Sequence, residues 1–195
     1  MATNKVAKVP SPETHDRILD AAISCVKRWG VEKVTLNDIA QEAGVTRPTV
    51  YSYFGNRDEV IQVALLRSAY TFSAEMLKHI SKFESVKEKI IESVIYSLKK
   101  LPNEPALALL KESSLAQIIN TYALRMPEGN EIRRSLFKFI MNGKDVSDEE
   151  LEEIIEVATR FVLSLLTLEG PKKRTDKELR GFLERRLLPA LGINE

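Results

Sequence analysis

The residues whose types and spacing could do chemistry lie close together, in TRPTVYSYFGNR at positions 46–57. Arg47, Pro48, Thr49 and Tyr51 bring a guanidinium, a proline ring, a hydroxyl and a phenol to one short stretch. Arginine forks onto guanine, threonine hydrogen-bonds a base edge, and an apolar ring packs on a thymine methyl. These four are therefore a base-facing set, with Arg47 and Thr49 touching base edges and Tyr51 beside them. Thr46, Tyr53 and Arg57 add hydroxyls and a cation of the kind that holds phosphate oxygens and fixes register. A merely solvated helix would more often carry Lys and Glu. The plainer alternative is a small helical turn packed inside a bundle, with Tyr51 and Tyr53 as ordinary half-buried rings.

Other chemistries find little support. No GxxxxGK[ST] or GxGxxG cradle for phosphate occurs. His15 and His79 have no evident partner in the sequence, and Ser113-Ser114 lacks a GxSxG setting. The acidic pairs at 58–59, 149–150 and 152–153 fall at helix starts or on polar faces, where solvation explains them. No catalytic residue is assigned, and the chain reads as a non-enzyme. Cys25 is the only cysteine, so an intrachain disulfide and a cysteine-rich zinc site are both excluded. It reads as a buried small hydrophobe. No metal or cofactor is expected. MATNKVAKVPS has no signal-peptide core, and no run approaches about 18 apolar residues, the length a spanning helix needs. No membrane association and a cytoplasmic location are expected.

The candidate side chains need a scaffold, and residues 35–57 supply two short helices. Thr35 can cap the first, with Asp38 three positions on. Leu36, Ile39, Ala40 and Ala43 make its apolar face. Gly44 permits the tight turn. Thr46 can cap the second helix, and Pro48 falls in its first turn, where a missing N–H costs nothing. Val50 and Phe54 point back at the first helix. Helix, glycine-containing turn and short helix form the helix-turn-helix pattern. The second helix is too short to stand alone and needs a brace. That brace starts at Ser11-Pro12 and carries Ile18, Ala21, Ala22, Cys25, Val26 and Trp29 as its stripe before Gly30.

Charge placement, not amount, must carry any DNA binding. The formal net charge is +1, and residues 1–60 hold eight basic and eight acidic groups. Lys5 and Lys8 lie in a polar start that reads chiefly as a solvated tail, although a basic arm along a DNA groove is the other possibility.

The stretch resembles the TetR family of transcriptional regulators. The likeness lies in Thr35, Ile39-Ala40, Ala43-Gly44-Val45-Thr46, Thr49-Val50-Tyr51, Tyr53-Phe54 and Arg57, with Trp29-Gly30-Val31 upstream. It is specific over roughly residues 13–62, and beyond them it extends only to length, helical content and position. Tyr53 stands where the family often has His, Arg57 where Lys is commoner, and Pro48 where many members have Gly. The resemblance implies a homodimeric repressor whose C-terminal domain binds a small effector. The expected organisation is all-α: a mobile arm at 1–12, a three-helix DNA-binding head at 13–56, and an effector-binding and dimerisation domain at 57–195. The expected partner is a double-stranded, palindromic DNA operator, read by one head per subunit.

Downstream, helices are predicted over 57–79, 84–100, 130–141, 148–168 and 175–188. Arg57 lies at a helix start, where a cation opposes the dipole, and this suggests a phosphate contact. The run FVLSLLTL at 161–168 is apolar on every side and is expected to be buried all round. One face would meet the core and the other a second copy, with Phe161, Val162, Leu165 and Leu166 near the centre and Phe182 and Leu183 from the last helix. The alternative is a central core helix in a monomer. Residues 106–126 are dense in apolar side chains, with prolines at 102, 105 and 127 interrupting the helices around them. Such breaks can leave a pocket. Its candidate lining is Phe72, Met76, Tyr96, Leu110, Ile118, Tyr122 and Phe137, with an ordinary filled core as the alternative. No buried Arg, Lys or His is evident there, so a hydrophobic, weakly polar effector is expected. A second function class stays open: a helical adaptor that binds protein through 161–168.

Overall fold

The computed structural model describes residues 11–104, 127–168, 170 and 172–193. Among them every regular element is helical: α1 (Pro12–Trp29), α2 (Leu36–Glu42), α3 (Arg47–Phe54), α4 (Arg57–Ile80), α5 (Val86–Lys100), a 3-10 turn at Leu101–Asn103, α6 (Pro127–Ile140), α7 (Asp148–Thr167) and α8 (Asp176–Ala190). The protein is all-α. No helix among the described residues is long and apolar enough to cross a membrane. The chain divides into two compact units, Met1–Arg67 and Ser68–Glu195.

Local chemistry explains where the helices of the first unit begin and end. Ser11 caps α1, its Oγ accepting from the Thr14 N–H at 3.2 Å. Thr35 and Asp38 complete a reciprocal capping box at α2. Asp38 is held below the usual carboxylate range by the Thr35 hydroxyl first and its N–H second. At the other end of α2, the Val45 N–H reaches the Ala40 carbonyl at 2.9 Å and the Gly44 N–H reaches Gln41 at 3.1 Å. This is a Schellman ending, and it needs the left-handed φ of 64° that Gly44 supplies. Arg17 donates to the Ala43 carbonyl at 2.6 Å and ties α1 to that turn. The unit then closes over one core: Ile18, Cys25 and Val26 of α1, Val34, Ile39 of α2, Val50 and Phe54 of α3, and Val60 of α4 are all buried. Burial pushes the Cys25 thiol upward, as befits an apolar filler.

Trp29 departs from expectation. It does not join the apolar stripe but is 40% exposed, with the Arg28 guanidinium 5.1 Å from its ring. Gly30 ends the helix one residue later, so the ring lies past the last turn that the head can cover.

The second unit has its own core, built from α4 (Met76, Ile80), α5 (Ile90, Val94, Ile95), α6 (Phe137, Ile140), α7 (Ile154, Ile155, Ala158) and α8 (Leu183, Leu187). Ser85, Ser147 and Thr175 cap α5, α7 and α8. Two boundaries and one burial pattern differ from the sequence expectation. Pro127 opens α6 instead of ending a preceding stretch, because a first-turn proline has no N–H to lose. Pro189 lies inside the last turn of α8, where it costs one hydrogen bond only. The run 161–168 is not buried all round: Phe161, Val162, Leu165 and Leu166 are half-buried, and Leu168 is 68% exposed.

Candidate nucleic-acid interface

Helix α3 sets the candidate interface. Val50 and Phe54 are buried against the head, which fixes how the helix is rotated. The opposite face then shows Arg47, Pro48 and Tyr51 to solvent, with Thr49 half-buried beside them. The structure thus leaves Arg47, Pro48 and Tyr51 exposed on one helix and brings Arg47 and Tyr51 together at one groove. Arg47 and Tyr51, four residues apart, lie side by side, with the guanidinium 5.7 Å from the ring centroid. Thr46 is exposed and serves as the N-cap: its Oγ1 accepts from the Thr49 N–H at 3.3 Å and lies 2.8 Å from Thr49 Oγ1.

The phosphate candidates fare differently. Tyr53 does not face outward. Its hydroxyl accepts from the Ser11 N–H at 2.7 Å and lies 3.4 Å from the Ser11 carbonyl. Its ring sits beside His15 and Phe54. The cause is helical phase: position 53 precedes the buried Phe54 and turns toward the start of α1. Arg57 is also engaged within the head. Its Nε donates to the Val34 carbonyl at 2.5 Å, another nitrogen donates to the Val31 carbonyl, and a third meets Asp58 at 2.5 Å.

An open groove runs across this face, lined by Thr35 and Leu36 at the start of α2, Arg47 and Tyr51 of α3, and Asn56, Arg57 and Gln62 at the start of α4. The sequence marks Thr35 only as a cap, and its place in the groove was not foreseen. The capping signature was the available clue, because it marks where a helix presents unpaired N–H groups. Glu32, Asp58 and Glu59 also line the groove. The lining therefore holds three carboxylates against the two guanidiniums of Arg47 and Arg57.

Outside the head, several expectations are revised. His79 is not partnerless: its Nε2 lies 3.1 Å from Glu92 Oε2, and Glu92, only 7% exposed along its side chain, is also paired with Arg180. These partners are 13 and 88 residues apart from Glu92, too far for a spacing rule. Of the effector lining, Met76 and Phe137 are buried in the second core, and Phe72 packs half-buried against Tyr96 at 5.6 Å. Tyr96 donates to Glu75 at 3.1 Å, and burial raises its phenol further than that bond does. Leu110, Ile118 and Tyr122, with the whole stretch 106–126, lie outside the described residues, as do Lys5 and Lys8. The sequence showed no buried cation near this core, but Arg133 is half-buried there, with one nitrogen donating to Asn130. It stands three and four residues before Leu136 and Phe137 on the core-facing side of α6, and its buried Nε has no hydrogen-bond partner among the described residues. Burial depresses its pKa, with Glu152 opposing. Among the described residues no group of His, Cys, Asp and Glu could hold a metal ion.

The dimer candidates also separate. Phe161 and Phe182 are half-buried neighbours, 5.8 Å between rings, and the Arg174 guanidinium covers Phe182 at 4.1 Å. Leu183, by contrast, is fully buried in the core of the second unit. It follows Phe182 by one position, and one helical step of about 100° carries it from the outer face to the inner one.

Known proteins fit this geometry. A family profile described as bacterial regulatory proteins, tetR family, matches residues 18–64. An uncharacterized HTH-type transcriptional regulator of Mycobacterium tuberculosis is 30% identical over 112 residues, 57% of this chain and 57% of that protein. The chain thus spans little more than half the length of that relative. The HTH-type transcriptional regulator SrpR of Pseudomonas putida is 47% identical over 53 residues, 27% of this chain and 25% of SrpR. Among solved structures, the TetR family repressor AlkX from Dietzia superposes with a TM-score of 0.63 at 20% identity, covering 93% of this chain and 96% of AlkX. The segment that holds the locked α3 and its glycine turn thus matches the tetR family of bacterial regulatory proteins over residues 18–64, and the fold as a whole is similar to that of AlkX.

Proposed function

We propose that the protein is a sequence-specific, DNA-binding transcriptional repressor that acts in the cytoplasm as a homodimer. Residues 13–56 form the reading head and residues 57–195 the effector-binding and dimerisation domain. The observation that carries the reading is the outer surface of α3: Arg47, Pro48 and Tyr51 are exposed, with Thr49 half-buried, while Val50 and Phe54 lock the helix. Arg47 takes a guanine edge, Thr49 a neighbouring base, and Pro48 a thymine methyl. Thr46 and the start of α2 meet phosphates. Two heads related by a twofold read a palindrome with half-sites about one helical turn apart.

The test is selection from a random duplex pool by the purified protein. An enriched palindrome is the expected result, and Arg47→Ala should then lose about 1–3 kcal/mol of discrimination at one position of each half-site. No enrichment at all would sink the repressor reading and favour the adaptor that binds protein through 161–168. That second reading draws on the exposed apolar side chains Val157 and Leu168 on α7 and at its end.

The switch is a small hydrophobic effector held in the second domain. Apolar Met76 and Phe137, the half-buried Phe72 and the Tyr96 phenol support this class. Arg133 adds a desolvated cation, which suits an apolar molecule with one acidic group. The ligand must bind the two states of the dimer with different affinity, since equal affinity shifts nothing. Titration of candidate compounds against operator-bound protein tests the coupling. Unchanged operator affinity at saturation would remove the switch and leave DNA binding intact.

A further inference from the structure

Arg57 opens α4, the place where a cation is least welcome. Direct attraction to a phosphate would explain it, yet the guanidinium is already committed within the head. Nε donates to Val34 at 2.5 Å, a second nitrogen donates to Val31, and the third meets Asp58 at 2.5 Å. Only 29% of the side chain is exposed. Both carbonyls belong to the connection between α1 and α2. That connection ends at buried Val34 and then at Thr35, the cap of α2. The starts of α2 and α4 are thereby held at one groove, beside Arg47 and Tyr51. Helix α2 carries α3 through the Gly44 turn, so whatever fixes the start of α2 also aims the reading helix.

We propose that Arg57 is a positioning residue of the DNA-binding head: its planar fork clamps the Val31–Val34 connection to the start of α4 and does not hold a phosphate. The inference rests on the DNA-binding reading above. Lysine cannot replace the fork, because an ammonium is a point charge that cannot grip two carbonyls in one plane. A phosphate contact would tolerate lysine well.

The probe is the duplex that the wild-type protein enriches from a random pool. Anisotropy is measured across a salt series for wild type, Arg57→Lys and Arg57→Gln, at a temperature where all three show native circular dichroism. Both variants should lose about tenfold or more in affinity at every salt concentration, the size expected for losing charged hydrogen bonds. The slope of log affinity against log salt should stay at the wild-type value. A wild-type-like Arg57→Lys, with a slope flattened by about 0.9 per lost contact in Arg57→Gln, would overturn the clamp in favour of a phosphate contact. A merely structural role would lower the melting temperature and leave the affinity of folded protein unchanged; that too overturns the proposal. The wild-type protein gives a readout that no folding failure can spoil. The Arg57 Nε–H should exchange slowly in free protein and keep its NMR position when duplex is added. A signal that becomes protected only with DNA refutes the clamp. If the wild-type protein enriches no duplex, the DNA-binding reading fails and takes this inference with it, an outcome distinct from enrichment with a lysine-tolerant site 57.

Discussion

Replacing Tyr53 with Phe removes one oxygen from the head and separates two accounts of that residue. The hydroxyl accepts from the Ser11 N–H at 2.7 Å, and its approach to the Ser11 carbonyl at 3.4 Å is too long to add much. One good, part-buried bond to a backbone group contributes about 1 kcal/mol, and the unpaired Ser11 N–H left behind raises the cost toward about 1.5 kcal/mol. The ring itself stays, so its packing beside His15 and Phe54 is kept. Urea denaturation should show a lower midpoint with an unchanged slope. Amide exchange at Thr14 and His15, whose N–H groups bond to Ser11 Oγ and to the Ser11 carbonyl, should speed up by about five- to tenfold. Operator binding should keep its wild-type salt slope. A stability unchanged within error, together with a slope reduced by about 0.9, would show that the hydroxyl spends its time on a phosphate and refute the tether.

Three further outcomes are expected. Leu183→Ala should cost about 2–5 kcal/mol in denaturant unfolding, because the side chain is fully buried in its own subunit, whereas Leu168→Glu should leave stability almost unchanged. A Leu183→Ala protein of wild-type stability that sediments as a smaller species would return Leu183 to the dimer interface. Arg133→Met should be close to neutral, within about 1 kcal/mol in the absence of effector, since it removes a buried Nε–H without a partner along with one exposed hydrogen bond to Asn130 and keeps the apolar stem; a loss above about 2 kcal/mol would reveal a partner for that Nε. The Glu178 carboxyl is pulled from 4.5 to about 2 by the Thr175 N–H first and Lys172 next. Its folded pKa is depressed, so its contribution is present above the unfolded value and fades as pH falls from about 4.5 toward 2. The urea midpoint of Glu178→Gln should therefore drop less than that of wild type across this window, and parallel profiles would exclude the cap as the cause.

The sequence by itself determined whatever is encoded within a few residues. Thr35 and Asp38 and the turn at Gly44 are legible because cap and partner sit three positions apart and a left-handed φ calls for glycine. The outward set on α3 was legible for the same reason: Val50 and Phe54, four apart, fix the phase of an eight-residue helix and so the face left over. The tertiary structure alone decided the fate of the side chains between those faces. Tyr53 finds Ser11 across 42 positions, and Arg57 finds the carbonyls of Val34 and Val31 across 23 and 26. A backbone carbonyl or N–H leaves no mark on the sequence, since every residue carries one, so no spacing rule can reveal it as the partner of a distant phenol or guanidinium. Burial has the same character. Leu183 and Phe182 are adjacent and both apolar, and only the packing of α8 against the rest of its unit decides which is inside. Arg133 reads as a surface cation until Leu136 and Phe137, on the same side of α6, are seen to face the core.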